Sequence, residues 1–173
     1  MSISRLTGAV NWSYTFGTVH YSMSAPSVAN GKVFAAYSNN LYCLDLDGNL
    51  IWKYPMTNSI RSNPAVADGI LYVGNDGGSL YAINVSDTST VWKHAIDMTG
   101  EESPTVDDGK VYVQGETKVF CLDALTGNSI WTYTIESGTA DWSSPTVANG
   151  KVYVTGFGKG VIALDALTGE ELW

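Results

Sequence analysis

The chain has 173 residues, 45 % of them apolar and 15 % charged, the balance of a globular protein able to bury a core. Nine basic against seventeen acidic residues give a formal net charge of −8, which repels a polyphosphate and excludes the usual electrostatic footprint of nucleic-acid binding. There is no run of eighteen apolar residues, and Met1 to Gly8 hold one Arg and no apolar stretch, so neither membrane insertion nor a signal peptide is expected.

In chain order, residues 1–12 read as the tail of a repeat unit, a last strand D ending in Leu6-Thr-Gly-Ala-Val-Asn-Trp12 without its first three strands. The first complete unit spans about 13–52. In it Asn30-Gly31, a dipeptide that supplies positive φ to a two-residue hairpin turn, joins strand A to strand B. Leu41-Tyr-Cys-Leu-Asp forms strand C, and a short turn, Asp45-Leu-Asp-Gly-Asn, leads into a strand D that carries Trp52. The second unit, about 53–92, repeats this with Asp68-Gly69, strand B at Ile70-Leu-Tyr-Val, strand C at Leu80-Tyr-Ala-Ile-Asn, and Trp92. The third, about 93–131, has Asp108-Gly109, Lys110-Val-Tyr-Val, Val119-Phe-Cys-Leu-Asp, the Thr126-Gly127 turn and Trp131. The fourth, about 132–173, has Asn149-Gly150, Val161-Ile-Ala-Leu-Asp, Thr168-Gly169 and Trp173.

The period fixes the architecture. Trp12, Trp52, Trp92, Trp131 and Trp173 are spaced by 40, 40, 39 and 42 residues, and Pro26, Pro64, Pro104 and Pro145 each stand five residues before a turn Gly. Two marker series share one period, and no segment shows a helical repeat. Strand B is apolar on both faces, so it packs between layers. Four short antiparallel strands per unit with two-faced middle strands predict an all-β fold, a β-propeller of four blades in one segment, 1–173. A solenoid of hairpins is the weaker rival, because its repeats are shorter.

The run Ala163 to Trp173, Ala-Leu-Asp-Ala-Leu-Thr-Gly before the Trp, and its near copy Cys121 to Trp131, resemble the tryptophan-docking motif of the pyrroloquinoline-quinone (PQQ) propeller repeats. The resemblance covers essentially the whole chain. It implies a structural docking role between blades for Trp12, Trp52, Trp92, Trp131 and Trp173. The second unit departs from the pattern, with Asn84 for the Asp and Thr88 for the Gly. Family members have seven or eight blades, which leaves three readings of closure. The N-terminal strand D completes the last blade in a ring of four, two copies make an eight-bladed homodimeric ring, or the chain is a piece of a longer propeller. The family's enzymes use adjacent cysteines in a ring disulfide, calcium held by Glu, Asn and Asp, and a catalytic Asp. None of these maps onto this chain, so PQQ and calcium are expected only if it is part of a quinoprotein dehydrogenase. The resemblance also implies the cell envelope or exterior, while two unpaired thiols fit the cytoplasm equally well.

Strand order places the A–B and C–D turns at one end of each blade and the D–A and B–C loops at the other, and the second set differs from blade to blade. Any ligand or peptide site is therefore expected at that end and not at the other. Three residues before each strand-A Pro stand Met23, Arg61, Glu101 and Trp142; the B–C loops add Asn39, Asn75, Asp76, Glu116, Phe157 and Lys159. Trp142 would stack on a ligand and Arg61 would pair a carboxylate; the alternative is a set of ordinary solvated loop residues. Cys43 and Cys121 sit at equivalent positions two blades apart, too far for a disulfide, and read as core residues. His20 and His94 read as solvated loop residues without metal-ligand spacing, no serine has a placeable His and acid, and no catalytic or metal site is expected. The sequons at Asn11 and Asn84 fall on strand and turn. Three functions remain: a non-catalytic scaffold binding a protein, peptide or small ligand, a quinoprotein dehydrogenase segment, and a purely structural, self-associating half-propeller.

Overall fold

The computed structural model describes residues 1–17, 24–135, 143–156 and 158–173. Among these there is no helix. A short hairpin, β1 (Ser2–Ile3) and β2 (Val10–Trp12), precedes the first blade, β3 (Ser27–Ala29), β4 (Lys32–Tyr37), β5 (Asn40–Asp45) and β6 (Leu50–Pro55). The second comprises β7 (Ala65–Ala67), β8 (Ile70–Asn75), β9 (Ser79–Asn84) and β10 (Thr90–Ala95), and the third β11 (Thr105–Asp107), β12 (Lys110–Gln114), β13 (Lys118–Asp123) and β14 (Ser129–Thr134). The fourth has β15 (Thr146–Ala148), β16 (Lys151–Gly156) and β17 (Gly160–Asp165), bordered by residues 170–173 through an Ala163 N–H to Trp173 O bond of 2.9 Å. Each sheet is an antiparallel meander in sequence order.

The A–B turns follow from their dipeptides. Asn30, Asp68, Asp108 and Asn149 have φ between 46° and 52° and the following glycines between 69° and 78°, both central residues positive as a type I′ hairpin requires. Entry into strand D has a feature that periodicity does not reveal. Cys43 faces Trp52 and Leu44 faces Leu50, so Ile51 is an extra, bulged residue; Val91 and Ile130 are bulged in the same register, and Asn11 in the hairpin. A bulge at this point raises the local twist and turns the following Trp toward the next blade.

The cores lie between the sheets. Phe34, Ala36, Leu41 and Cys43 of the first blade meet Leu71, Val73 and Ile83 of the second. Ile70, Tyr72, Leu80 and Ala82 meet Val111, Val113 and Leu122, and Tyr112, Val119 and Cys121 meet Val152, Val154, Ile162 and Leu164. Alternate residues of strands B and C thus serve the preceding and the following interface, which is why both their faces are apolar. At about 1.5–3 kcal/mol per fully buried aliphatic side chain, these interfaces carry the stability.

The inner strands touch in the order β3, β7, β11, β15, and no comparable contact returns from β15 to β3. β2 pairs with β1 and not with β17. The Trp12 indole donates to Leu46 O at 2.7 Å and lies against Gly48, where a Cβ would come within 2.6 Å of the ring. Trp12 therefore fills the docking seat on the first blade, but β2 is not paired with β17, so among the described residues the N-terminal strand does not complete the last blade.

Candidate functional site

At the loop end, the D–A and B–C loops are laced by their backbones. Met56 N–H donates to Asn39 O (2.7 Å), Asp76 N–H to Ser59 O (3.0 Å) and Glu116 N–H to Asp97 O (2.5 Å). Nearer the inner strands a relay runs from blade to blade: Ala25 N–H to Asn63 Oδ1 (2.6 Å), Asn63 N–H to Ser103 Oγ (2.8 Å), and Ser103 N–H to Ser144 Oγ (3.0 Å). Ser27 and Thr105 add hydroxyl bonds to Pro64 O and Pro145 O of the next blade. These residues hold the loop ends in fixed angular positions. They escape a search by residue chemistry, although their place beside each strand-A Pro is a readable signal.

Two residues before that Pro, Ser24, Ser62 and Ser143 bond to strand-B partners: the Ala36 N–H (3.0 Å), both Gly74 backbone groups (3.0 and 2.8 Å), and Thr155 Oγ1 (2.7 Å). Glu102 takes this place in the third blade. It is 1 % exposed, and accepts from Thr99 Oγ1 and Gly100 N–H, both at 3.0 Å. It ties down its own loop.

Of the residues expected to form a site, Arg61 and Glu101 come together at 2.9 Å, both partly exposed, so the guanidinium already has a carboxylate partner within the chain. Asp76, Glu116 and Lys159 are exposed loop residues and Asn39 is half-buried, its amide donating to Met56 O at 3.0 Å. Asn75 is not on the loop surface: it ends β8 fully buried, its Oδ1 accepting from Gly77 N–H at 3.2 Å. Met23, Trp142, Phe157 and His20 lie outside the described residues. His94 departs from its reading as a solvated loop residue: it is half-buried on β10, with Nδ1 3.0 Å from Gly127 O and its ring edge-on to Phe120.

Among the described residues no three His, Cys, Asp or Glu side chains converge to hold a metal. Cys43 and Cys121 are unpaired and buried in separate interfaces, where burial pushes each thiol up to about 11.

The turn end is regular. Trp92 Nε1 and the Tyr72 hydroxyl both donate to Ala124 O, at 2.9 and 3.0 Å, and Trp131 Nε1 and the Tyr112 hydroxyl both donate to Ala166 O at 3.2 Å. Trp52 donates to Val85 O at 3.0 Å, with Phe34 in place of the tyrosine. Gly127 and Gly169 lie so near Trp92 and Trp131 that a Cβ would come within 2.6 Å of the indole. The Asp that opens the C–D turn of the first, third and fourth blades is held below the usual carboxylate range by hydrogen bonds. Asn49 does this for Asp45 and Thr126 for Asp123, each chiefly through its side chain, and the Thr168 and Leu167 N–H groups do it for Asp165. In the second blade Asn84 opens the turn and Asp87 is lowered by Ser89.

Residues 87–173 match the family model described as outer membrane protein assembly factor BamB. No curated protein matches the sequence. Among solved structures, BamB from Moraxella catarrhalis superposes with a TM-score of 0.81 at 19 % identity, over 96 % of this chain and 56 % of its own. The quinohemoprotein alcohol dehydrogenases of Comamonas testosteroni and of Pseudomonas putida HK5 superpose with TM-scores of 0.79 and 0.78, each at 22 % identity, over 95 % of this chain and 36 % and 35 % of theirs. The chain thus spans about half the length of the first and a third of the others, and at these identities the likeness is one of fold.

Proposed function

Since this chain belongs to the PQQ-type β-propeller repeat family, whose matching model is that of an outer membrane assembly factor, we propose that it is a non-catalytic scaffold that binds a protein or peptide partner in the cell envelope. The observation that carries this reading is the use to which the polar residues at the loop end are put. Asn63, Ser103, Ser144 and Glu102 hold neighbouring blades or their own loop, and Arg61 is paired with Glu101. A rigid frame with varied exposed loops suits recognition better than bond-making. The docking tryptophans belong to the frame, and Asp76, Glu116 and Lys159 are the described loop side chains offered to a partner. A dehydrogenase segment remains the alternative, with its cofactor residues supplied by other blades.

Homodimerisation is part of the proposal. Val161 on β17 is 54 % exposed, whereas Leu41, Leu80 and Val119 in the same register are fully buried against the next blade; an uncovered apolar sheet face is what a second copy would cover. Sedimentation across a dilution series tests this, a dimer supporting it and a monomer at every concentration removing it. The functional reading is tested by incubating the protein with PQQ and calcium and assaying dye reduction with alcohols and aldehydes. No turnover is expected, and turnover above the free-quinone background would overturn the scaffold reading.

A further inference from the structure

The turn end carries an apolar pattern that the propeller frame does not need. Six residues before each Trp stand Leu6, Leu46, Ser86, Leu125 and Leu167, and the four leucines are exposed by 57 % or more. The bulged Ile51, Val91 and Ile130 are exposed beside these turns at 41–47 %. At these exposures the side chains form an interrupted apolar rim.

Between the second and third blades the rim opens into a cleft of about 370 Å³. Leu125 and Ile130 form one wall and Ala67 and Val106 continue the apolar surface. Asp68, Asp108 and Asp123 stand around it against a single cation, Lys110, whose ammonium is bound to Asp108 at 3.2 Å. The cleft between the first and second blades, about 450 Å³, has Asn84 and Ser86 where this one has Asp123 and Leu125, and a single carboxylate, Asp68, beside Lys32. The two clefts share one frame, and only the second combines an aliphatic wall with excess negative charge. Side chains that match it have a long aliphatic stem and a cationic head.

We propose that the rim and cleft at the turn end between the second and third blades dock a basic, amphipathic polypeptide segment, one Lys or Arg entering the cleft while flanking apolar side chains lie on Leu125 and Ile130. This rests on the scaffold reading and adds to its loop-end surface a second contact, at the turn end, with a partner of stated chemistry. Hydrogen bonds from Thr126 hold the Asp123 carboxyl below the usual carboxylate range, and among the described residues Asp108 alone of the three carboxylates forms an ion pair, so binding weakens as salt rises.

The test is fluorescence anisotropy with a fluorescein-labelled dodecapeptide carrying four Lys and four Leu, and a matched peptide with Glu for Lys. The Asp123→Asn, Leu125→Ser variant gives these two positions the residue types of the cleft between the first two blades, and both sites accept the change: Asn84 already opens such a turn and Leu125 is 67 % exposed. The control, Asp76→Asn with Glu116→Gln, alters the loop end. Saturable binding of the Lys peptide that falls about tenfold in the first variant and less than about twofold in the control, with no binding of the Glu peptide, is expected. No binding of the Lys peptide, equal binding of both peptides, or equal loss in both variants overturns the proposal. The scaffold reading stands or falls separately, on dye reduction.

Discussion

Trp92 illustrates how single residues hold the blades together. Its ring fills the space left by Gly127, and its N–H shares Ala124 O with the Tyr72 hydroxyl. Trp92→Ala is expected to cost about 3–5 kcal/mol in urea unfolding; a loss under about 1 kcal/mol would mean that the indole does not anchor the interface. Because Ala124 O keeps one donor when either partner is lost, Trp92→Phe and Tyr72→Phe should each cost about 1–2 kcal/mol and the double variant more than their sum. Strict additivity would contradict the shared carbonyl. Thr88 stands at φ 60° where the other turns have glycine, a strained conformation for a β-branched residue. Thr88→Gly is therefore expected to raise stability by about 1 kcal/mol, and a fall in melting temperature would show that the Thr side chain has a compensating contact.

At the scale of the elements, the C–D turns make the fold sensitive to acid. Asp45, Asp87, Asp123 and Asp165 have folded pKa values below their unfolded value, so their contribution is fully present above the unfolded carboxylate pKa and is lost as pH falls through the folded values. Unfolding curves taken below about pH 4.5 should shift steadily to lower urea, and less so for Asp123→Asn, whose turn keeps its acceptor without the charge. An unchanged pH profile in that variant would contradict the assignment. The same turns show what the sequence makes legible. Asn30-Gly31 and its equivalents announce their hairpins because the required φ is a local property, and the spacing of the tryptophans gives the blade because each repeat must dock on the next. The bulges at Ile51, Val91 and Ile130 were not legible: an extra residue opposite the partner strand leaves the periodicity intact. Asn63, Ser103 and Ser144 were legible only by their place beside the strand-A Pro, because their partners lie about forty residues away. Arg61 and Glu101 were placed at equivalent positions of adjacent units, but their mutual ion pair emerges only when the blades are stacked.

For the molecule as a whole, three packed interfaces run in sequence through four blades, and the N-terminal β2, whose Trp12 docks on the first blade, pairs with β1 and not with β17. Cys43 and Cys121 record the integrity of two of those interfaces. Buried, with pKa values of about 11, they should resist a thiol reagent at pH 8 in the folded protein and react at once in denaturant; rapid modification of the native protein would show that the blades separate. The polar groups described at the loop end serve the frame, and the scaffold and quinoprotein readings differ in whether the chain binds the quinone. The most direct measurement is a titration of PQQ in the presence of calcium, read by quenching of the tryptophan fluorescence and checked by equilibrium dialysis. The account predicts no saturable binding; stoichiometric, calcium-dependent binding of the quinone would contradict it.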